Sequence, residues 1–190
     1  MSQLANFYVL PADRFDDLIA AQTARVVTVE KRRFFVLKTK VEKVVTEGSE
    51  FLRAVAREPE ECPFPGFVFA DIDALLEERG LALFDLAQPD LSERLSRAMD
   101  TEFEARGKRT AWGAKLHHKT PVFDHPTALQ ALSKLASCEL TKANYRAYAK
   151  EHYPAEEREA AMLTMPDALA LTHRWLGSVA EGEIGFLHVG

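Results

Sequence analysis

Between Gly107 and His125 the chain reads GKRTAWGAKLHHKTPVFDH, which brings His117, His118 and His125, three of its six histidines, into nine positions. Asp124 precedes the last of them, and Lys108, Arg109, Lys115 and Lys119 stand around the pair. Two chemistries could use such a set. Anion binding needs only positive charge and hydrogen-bond donors, which Lys108, Arg109, Lys115, Lys119 and His117 or His118 would supply. A metal site asks for more, because His117 or His118 would have to meet His125 and Asp124 across a turn in fixed ligand geometry. Neighbouring residues on a strand point to opposite faces, so at most one of the two adjacent histidines can share a pocket with Lys115 or Lys119. A plain structural role also fits: a solvated basic edge strand that discourages sheet-to-sheet association. The candidate anion site is therefore Lys108, Arg109, Lys115, His117, His118 and Lys119, and neither a metal nor another cofactor is expected.

Other residues could do chemistry, and each has a structural alternative. Asp71 and Asp73 follow the apolar run FVFA, a place where active-site acids occur in α/β sheets, yet they also suit a helix N-terminus. Tyr145 and Tyr148 share a helix face and fit a core. His188 alternates with Ile184 and Phe186, as a core or rim histidine satisfied by a backbone group would. His173 is expected at the surface, and His152 at a helix C-terminus, where positive charge suits the dipole. Cys62 and Cys138 are too far apart in sequence for a zinc knuckle and too few for a disulfide scaffold, so two reduced thiols are the plain reading, with a disulfide between them left open because sequence does not give distance. The phosphate-binding, dinucleotide-binding, zincin and nucleophile-elbow motifs are all absent from the sequence, which removes the commonest enzyme classes without excluding a scattered active site.

The elements that must position these residues are partly legible. Asn6–Leu10 (NFYVL) has strand composition and ends at Pro11. A helix should follow to about Ala24, with Asp13 and Asp16 in its first turn and Phe15, Leu18, Ile19 and Gln22 inward. Val26, Val27, Val29 and Phe34–Leu37 read as strand with a turn at Lys31-Arg32, although Phe34, Leu37, Val41, Val44, Gly48, Phe51 and Val55 also fit a helical stripe. Strand first and helix later, Ser49–Arg57, is the preferred order. Glu60–Gly66 is loop by its prolines. Phe67–Ala70 reads as a buried strand, then a short helix Ala74–Arg79 closed by Gly80, then a possible strand Leu81–Phe84. Asp90 and Glu93 begin a helix bearing Leu91, Leu95, Met99 and Phe103 and ending at Gly107. Trp112–Leu116 could be a strand. His125-Pro126 opens a helix, Leu140-Thr141 caps another running to His152, and Thr164 with Asp167 caps a last one that buries Trp175. Ile184–Val189 closes the chain as a strand.

These elements imply a single α+β domain over residues 1–190: a mixed β-sheet covered by helices, helix-rich in its second half, with the C-terminal strand returning to the sheet. At 190 residues the chain is long enough for a full core. The N-terminus lacks a basic start and a sustained apolar run, so no signal peptide or membrane span is expected, and a cytoplasmic location follows by elimination.

Net charge is −5, which argues against a nucleic-acid partner. The distribution is more informative than the sum. Lys31–Val41 and Arg106–Lys119 hold ten of the 24 basic residues and not one acid, while the remainder carries all 29 acids against 14 bases. A shared anion site would impose such avoidance on both segments, so the two are expected to lie near each other.

The segments ANFYVLPADRFDDLIAA and MPDALALTHRWLGSVAEGEIGFLHVG resemble the two ends of the YfbM-like family of uncharacterised bacterial proteins. They cover about a quarter of the chain; in the middle, FADIDALL lacks the family's tryptophan. The resemblance implies an α/β architecture and no known reaction, so no catalytic residue is carried over.

The expected function is a cytoplasmic bacterial binding or interaction module without a catalytic role, its partner a protein or a small anionic ligand. The alternative is an enzyme or ligand-binding protein that holds a phosphate-bearing substrate at residues 106–119.

Overall fold

The computed structural model describes residues 5–33, 37–105 and 120–189. Its framework joins the two chain ends. The NFYVL run lies within β1 (Ala5–Pro11), and the closing strand is β5 (Glu183–Val189). They pair antiparallel, Ala5 opposite Val189 and Pro11 opposite Glu183, so the last strand does return to the first. A short strand, β4 (Val122–Asp124), takes the other side of β5 and gives the order β1-β5-β4. The α+β class read from the sequence holds. The sheet is not mixed, however: every strand pair among the described residues is antiparallel. The chain enters β5 beside the end of β1, where the Ala12 N–H donates to the Gly182 carbonyl, and an antiparallel pair is what that entry point allows.

Both faces of this sheet are buried because apolar residues occupy both parities of its strands. One face presents Phe7, Val9, Phe123 and Leu187 to a large core. That core is built by α3 (Phe67–Glu77), α5 (His125–Ser137), α6 (Lys142–His152) and α7 (Arg158–Gly177). At its centre Trp175, 2% exposed, stacks between Phe7 and Phe69 with ring centroids 5.4 and 5.1 Å away. Gly185 makes this stack possible, since a Cβ there would lie 2.5 Å from Phe7 Cζ and 2.7 Å from Val179 Cγ2. The opposite face presents Leu10, Ile184, Phe186 and Val122 to a smaller core. Phe15 and Leu18 of α1 (Phe15–Gln22), Leu52 of α2 (Gly48–Val55) and Leu95 of α4 (Pro89–Ala105) fill it.

The edges of the sheet are also covered. Val9 exchanges both backbone hydrogen bonds with Arg57, at 2.9 and 2.8 Å, which closes the outer edge of β1. At the other edge Ser92 Oγ accepts the Val122 N–H and Ser96 Oγ accepts the Thr120 N–H, each at 2.9 Å, while the Gln88 N–H donates to the Val122 carbonyl at 2.7 Å. The spacing works because four helical residues rise about 6 Å and two strand residues about 6.8 Å. One helix face thus satisfies one strand edge.

Several elements differ from their sequence reading for identifiable reasons. Phe67–Ala70 is not a strand but the first turn of α3, because the buried set continues through Ile72, Leu75 and Leu76 at helical spacing. Asp71 and Asp73 therefore lie inside a helix rather than at its start. Leu81–Phe84 is not a strand either. Gly80, at φ 75°, ends the preceding turn, and a 3-10 turn at Phe84–Leu86 follows. Thr164 and Asp167 do not cap a helix; α7 begins at Arg158 and runs through Pro166. Thr164 Oγ donates instead to the Ala160 carbonyl at 2.7 Å. No turn interrupts the chain at Lys31-Arg32, since both residues lie in β2 (Arg25–Arg33), which pairs antiparallel with β3 (Leu37–Val45), Arg33 opposite Leu37.

Candidate functional site

The six residues of the sequence-derived anion site, Lys108, Arg109, Lys115, His117, His118 and Lys119, lie outside the described residues, as does the possible strand at Trp112–Leu116. The expected convergence of Arg106–Lys119 with Lys31–Lys40 falls there too. Their neighbours Asp124 and His125 have structural work. Asp124 caps α5 by accepting the Thr127 N–H at 2.9 Å and the Thr127 hydroxyl at 2.7 Å. These hydrogen bonds, with one from Gln88, outweigh burial and hold its carboxyl below the usual range. His125 Nδ1 donates to the Val179 carbonyl at 2.7 Å. Among the described residues no three His, Cys, Asp or Glu side chains gather at metal-binding spacing.

The other candidates also resolve into scaffold. Asp73 accepts the Phe84 N–H at 3.0 Å and so anchors the turn after α3. Burial raises its pKa against the pull of the Phe84 and Leu83 backbone. Asp71 accepts hydrogen bonds from two phenols, Tyr148 at 3.1 Å and Tyr153. Burial and this carboxylate push both phenols above their ordinary range, so they stay protonated donors. The His152 ring lies 4.3 Å from that of Tyr148. This clamp ties the end of α6 to α3. Both cysteines are free thiols, and burial pushes Cys62 up, away from thiolate reactivity.

His188 departs from its sequence reading. It was expected to find a backbone partner, yet its buried Nδ1 has none among the described residues. It stands opposite Asn6 and 6.2 Å from the Tyr8 ring, and burial lowers its pKa from the ordinary 6.5. The cavity within the larger core, lined by Phe7, Phe69, Phe123 and Trp175 among others, amounts to about 20 Å³, room for one water at most and too apolar to hold one.

Apart from the three-stranded sheet and its two cores stands the β2–β3 ribbon. It is a separate two-stranded sheet, and no third strand pairs with it among the described residues. Two-stranded ribbons are marginal alone in water, and this one is secured at its root. There the Ala24 N–H donates to Thr101 Oγ of α4 at 2.7 Å, and the Glu47 N–H donates to the Ala21 carbonyl at 3.0 Å. Val26 and Val27 are successive strand residues, so they point to opposite sides, and they are 57% and 38% exposed. Neither face is buried there. The hairpin carries seven basic residues, Arg25, Lys31, Arg32, Arg33, Lys38, Lys40 and Lys43, against two acids, Glu30 and Glu42. The backbone register sets Arg32 opposite Lys38, Lys31 opposite Thr39 and Glu30 opposite Lys40. This surface is missed when the basic run is read without its partner strand. The available signal is the recurrence of Val-Glu-Lys at Val29–Lys31 and Val41–Lys43, on either side of FFV.

No helix is long and apolar enough to cross a membrane among the described residues. No family model, curated protein or solved structure matches the chain.

Proposed function

We propose that the protein is a binding module without catalytic chemistry of its own, and that the β2–β3 ribbon engages an anionic partner. The observation that carries this reading is a two-stranded sheet, exposed on both faces at its root, with an excess of five positive charges in a chain whose net charge is −5. Charge so concentrated is felt locally, because exposed charges farther apart than about 8 Å are screened at physiological salt. Retention on an immobilised polyanion tests it. An acidic protein should nevertheless bind, and the triple change Lys31→Gln, Arg32→Gln, Arg33→Gln should elute at clearly lower salt. Equal elution of both proteins would overturn the proposal.

A second reading rests on the 14-residue stretch 106–119, which has five basic residues and no acid. There Lys108, Arg109, Lys115, His117, His118 and Lys119 would hold a phosphate-bearing substrate. Sulfate or phosphate should then raise the melting temperature more than chloride at matched ionic strength. Arg109→Ala or Lys115→Ala should remove most of that difference; an unchanged difference in both variants ends this reading. A bacterial cytoplasmic setting and kinship with the YfbM-like family belong to the same proposal, supported by the strand and helix at each chain end.

A further inference from the structure

We infer that the cleft between the C-terminal ends of α3 and α5 binds a small α-amino dicarboxylate, a molecule with two carboxylates and one ammonium. The site is separate from the ribbon and does not rest on its role.

The cleft follows from how the two helices stop. Gly80, at φ 75°, ends the turn after α3, and the Leu81 N–H returns to the Leu76 carbonyl at 3.0 Å. α5 ends at Ser137, and the Cys138 N–H donates to the Leu135 carbonyl at 3.1 Å. Between these ends lies an open cleft of about 380 Å³, lined by Arg79, Gly80, Leu81, Lys134, Ser137 and Glu139, with Cys138 beside them. Small-molecule sites range over about 300–1,000 Å³, so the space suffices. A Cβ on Gly80 would meet nothing within 4 Å, so the backbone there is open to a ligand. Leu81, 7% exposed, supplies an apolar floor.

The charges decide the ligand. Arg79 and Lys134 are exposed, and among the described residues neither side chain has an ion-pair or hydrogen-bond partner. A guanidinium fork and an ammonium suit two carboxylates. A simple anion is a poorer match, because acceptors share the lining. The Glu139 carboxylate also lacks a partner among the described residues. Ser137 Oγ gives its proton to the Lys134 carbonyl at 2.7 Å and keeps its lone pairs for a donor. The cleft lies at two helix C-termini, where partial negative charge favours a cation. The acids at the end of α3 act on other groups, Glu77 on Asp73 and Glu78 on Tyr148. Two cations, one carboxylate and these further acceptors complement two carboxylates and one ammonium. Arg79 and Lys134 also offset the helix dipoles, and that role alone would give no preference among ligands.

Isothermal titration calorimetry of the full chain with L-glutamate, at fixed ionic strength, tests the inference. L-Glutamate should bind at one saturable site. Glutarate lacks the ammonium and γ-aminobutyrate lacks the α-carboxylate. Each should bind about tenfold more weakly or worse, as the loss of a charge-assisted hydrogen bond requires. Arg79→Gln and Lys134→Gln should each weaken glutamate binding by a similar factor. Glu139→Gln should weaken glutamate while leaving glutarate unchanged or tighter, a split that a merely structural carboxylate would not give. All three residues are exposed, so the variants should melt with the parent protein. The comparison of ligands uses the unaltered chain and decides even where a variant does not fold. Absence of saturable glutamate binding overturns the inference. So does glutarate or inorganic phosphate binding as tightly as glutamate, and so do three variants that bind like the parent. The triple change Lys31→Gln, Arg32→Gln, Arg33→Gln should leave glutamate binding intact, which keeps a failure of the ribbon distinct from a failure of the cleft.

Discussion

The three-stranded sheet and the two-stranded ribbon are made from similar residues and treated in opposite ways. In β1, β4 and β5 both faces are buried, one edge is closed by Arg57 and the other by Ser92 and Ser96. In β2 and β3, Val26 and Val27 are open to solvent and no further strand pairs with either edge among the described residues. Sheets with exposed edges and exposed β-branched residues invite association, and proteins limit this with charge. The contrast teaches that covering a strand commits its hydrogen bonds to stability, whereas a strand left bare relies on charge to limit association.

The comparison can be broken most forcefully at Trp175. Trp175→Ala empties the stack between Phe7 and Phe69 and should cost about 3–5 kcal/mol in denaturant unfolding. A loss below 1 kcal/mol would mean that the larger core is not what holds the sheet. Next comes Gly185, where Gly185→Ala sets a methyl against the Phe7 ring and Val179 and should destabilise by about 1–3 kcal/mol. Ser96→Ala leaves the Thr120 N–H without its partner and should cost about 1 kcal/mol or somewhat more. In the ribbon, Val26→Thr should change stability by no more than about 0.5 kcal/mol, because Val26 is 57% exposed. A large loss there would show that this face is covered.

A pH measurement sharpens the same contrast. Burial depresses the folded-state pKa of His188, so its contribution to stability is present above its unfolded value near 6.5 and is lost as pH falls below it. The melting temperature should therefore drop between pH 7.5 and 5.5, and His188→Gln should flatten that part of the curve. An unchanged curve would mean that the imidazole gains a partner when protonated.

How much of this is legible in the sequence depends on whether a segment carries its own context. NFYVL and IGFLHV declare themselves because their strand composition is bounded by Pro11 and by Gly182, at φ 78°. The helix from Lys142 to His152 is fixed by Thr141, whose N–H donates to Asn144 Oδ1 at 2.9 Å, and by Pro154 beyond. FVFA is different. Four apolar residues satisfy either period, and only their continuation to Leu76 decides for helix. Thr164 and Asp167 have the composition of a helix start, but the nine residues before Asp167 already belong to α7, and local composition cannot report that. The basic run from Lys31 is visible as charge, while its fold as half of a hairpin depends on pairing with Leu37–Val45. His188 shows the limit most plainly, since a sequence gives its strand parity but not whether an acceptor faces it.

The serine pair on α4 has a consequence for how this chain can change length. Ser92 and Ser96 reach Thr120 and Val122 only because four residues separate them. Inserting one residue between them would turn one serine about 100° around the helix axis and strand a backbone N–H. The helix and the edge it covers are therefore locked in register, and insertions there should be rejected together with the fold. Among the described residues no third strand pairs with the hairpin beyond its root, so lengthening both of its strands by matched residues should be tolerated, and the reach of the ribbon can drift independently of the body that carries it.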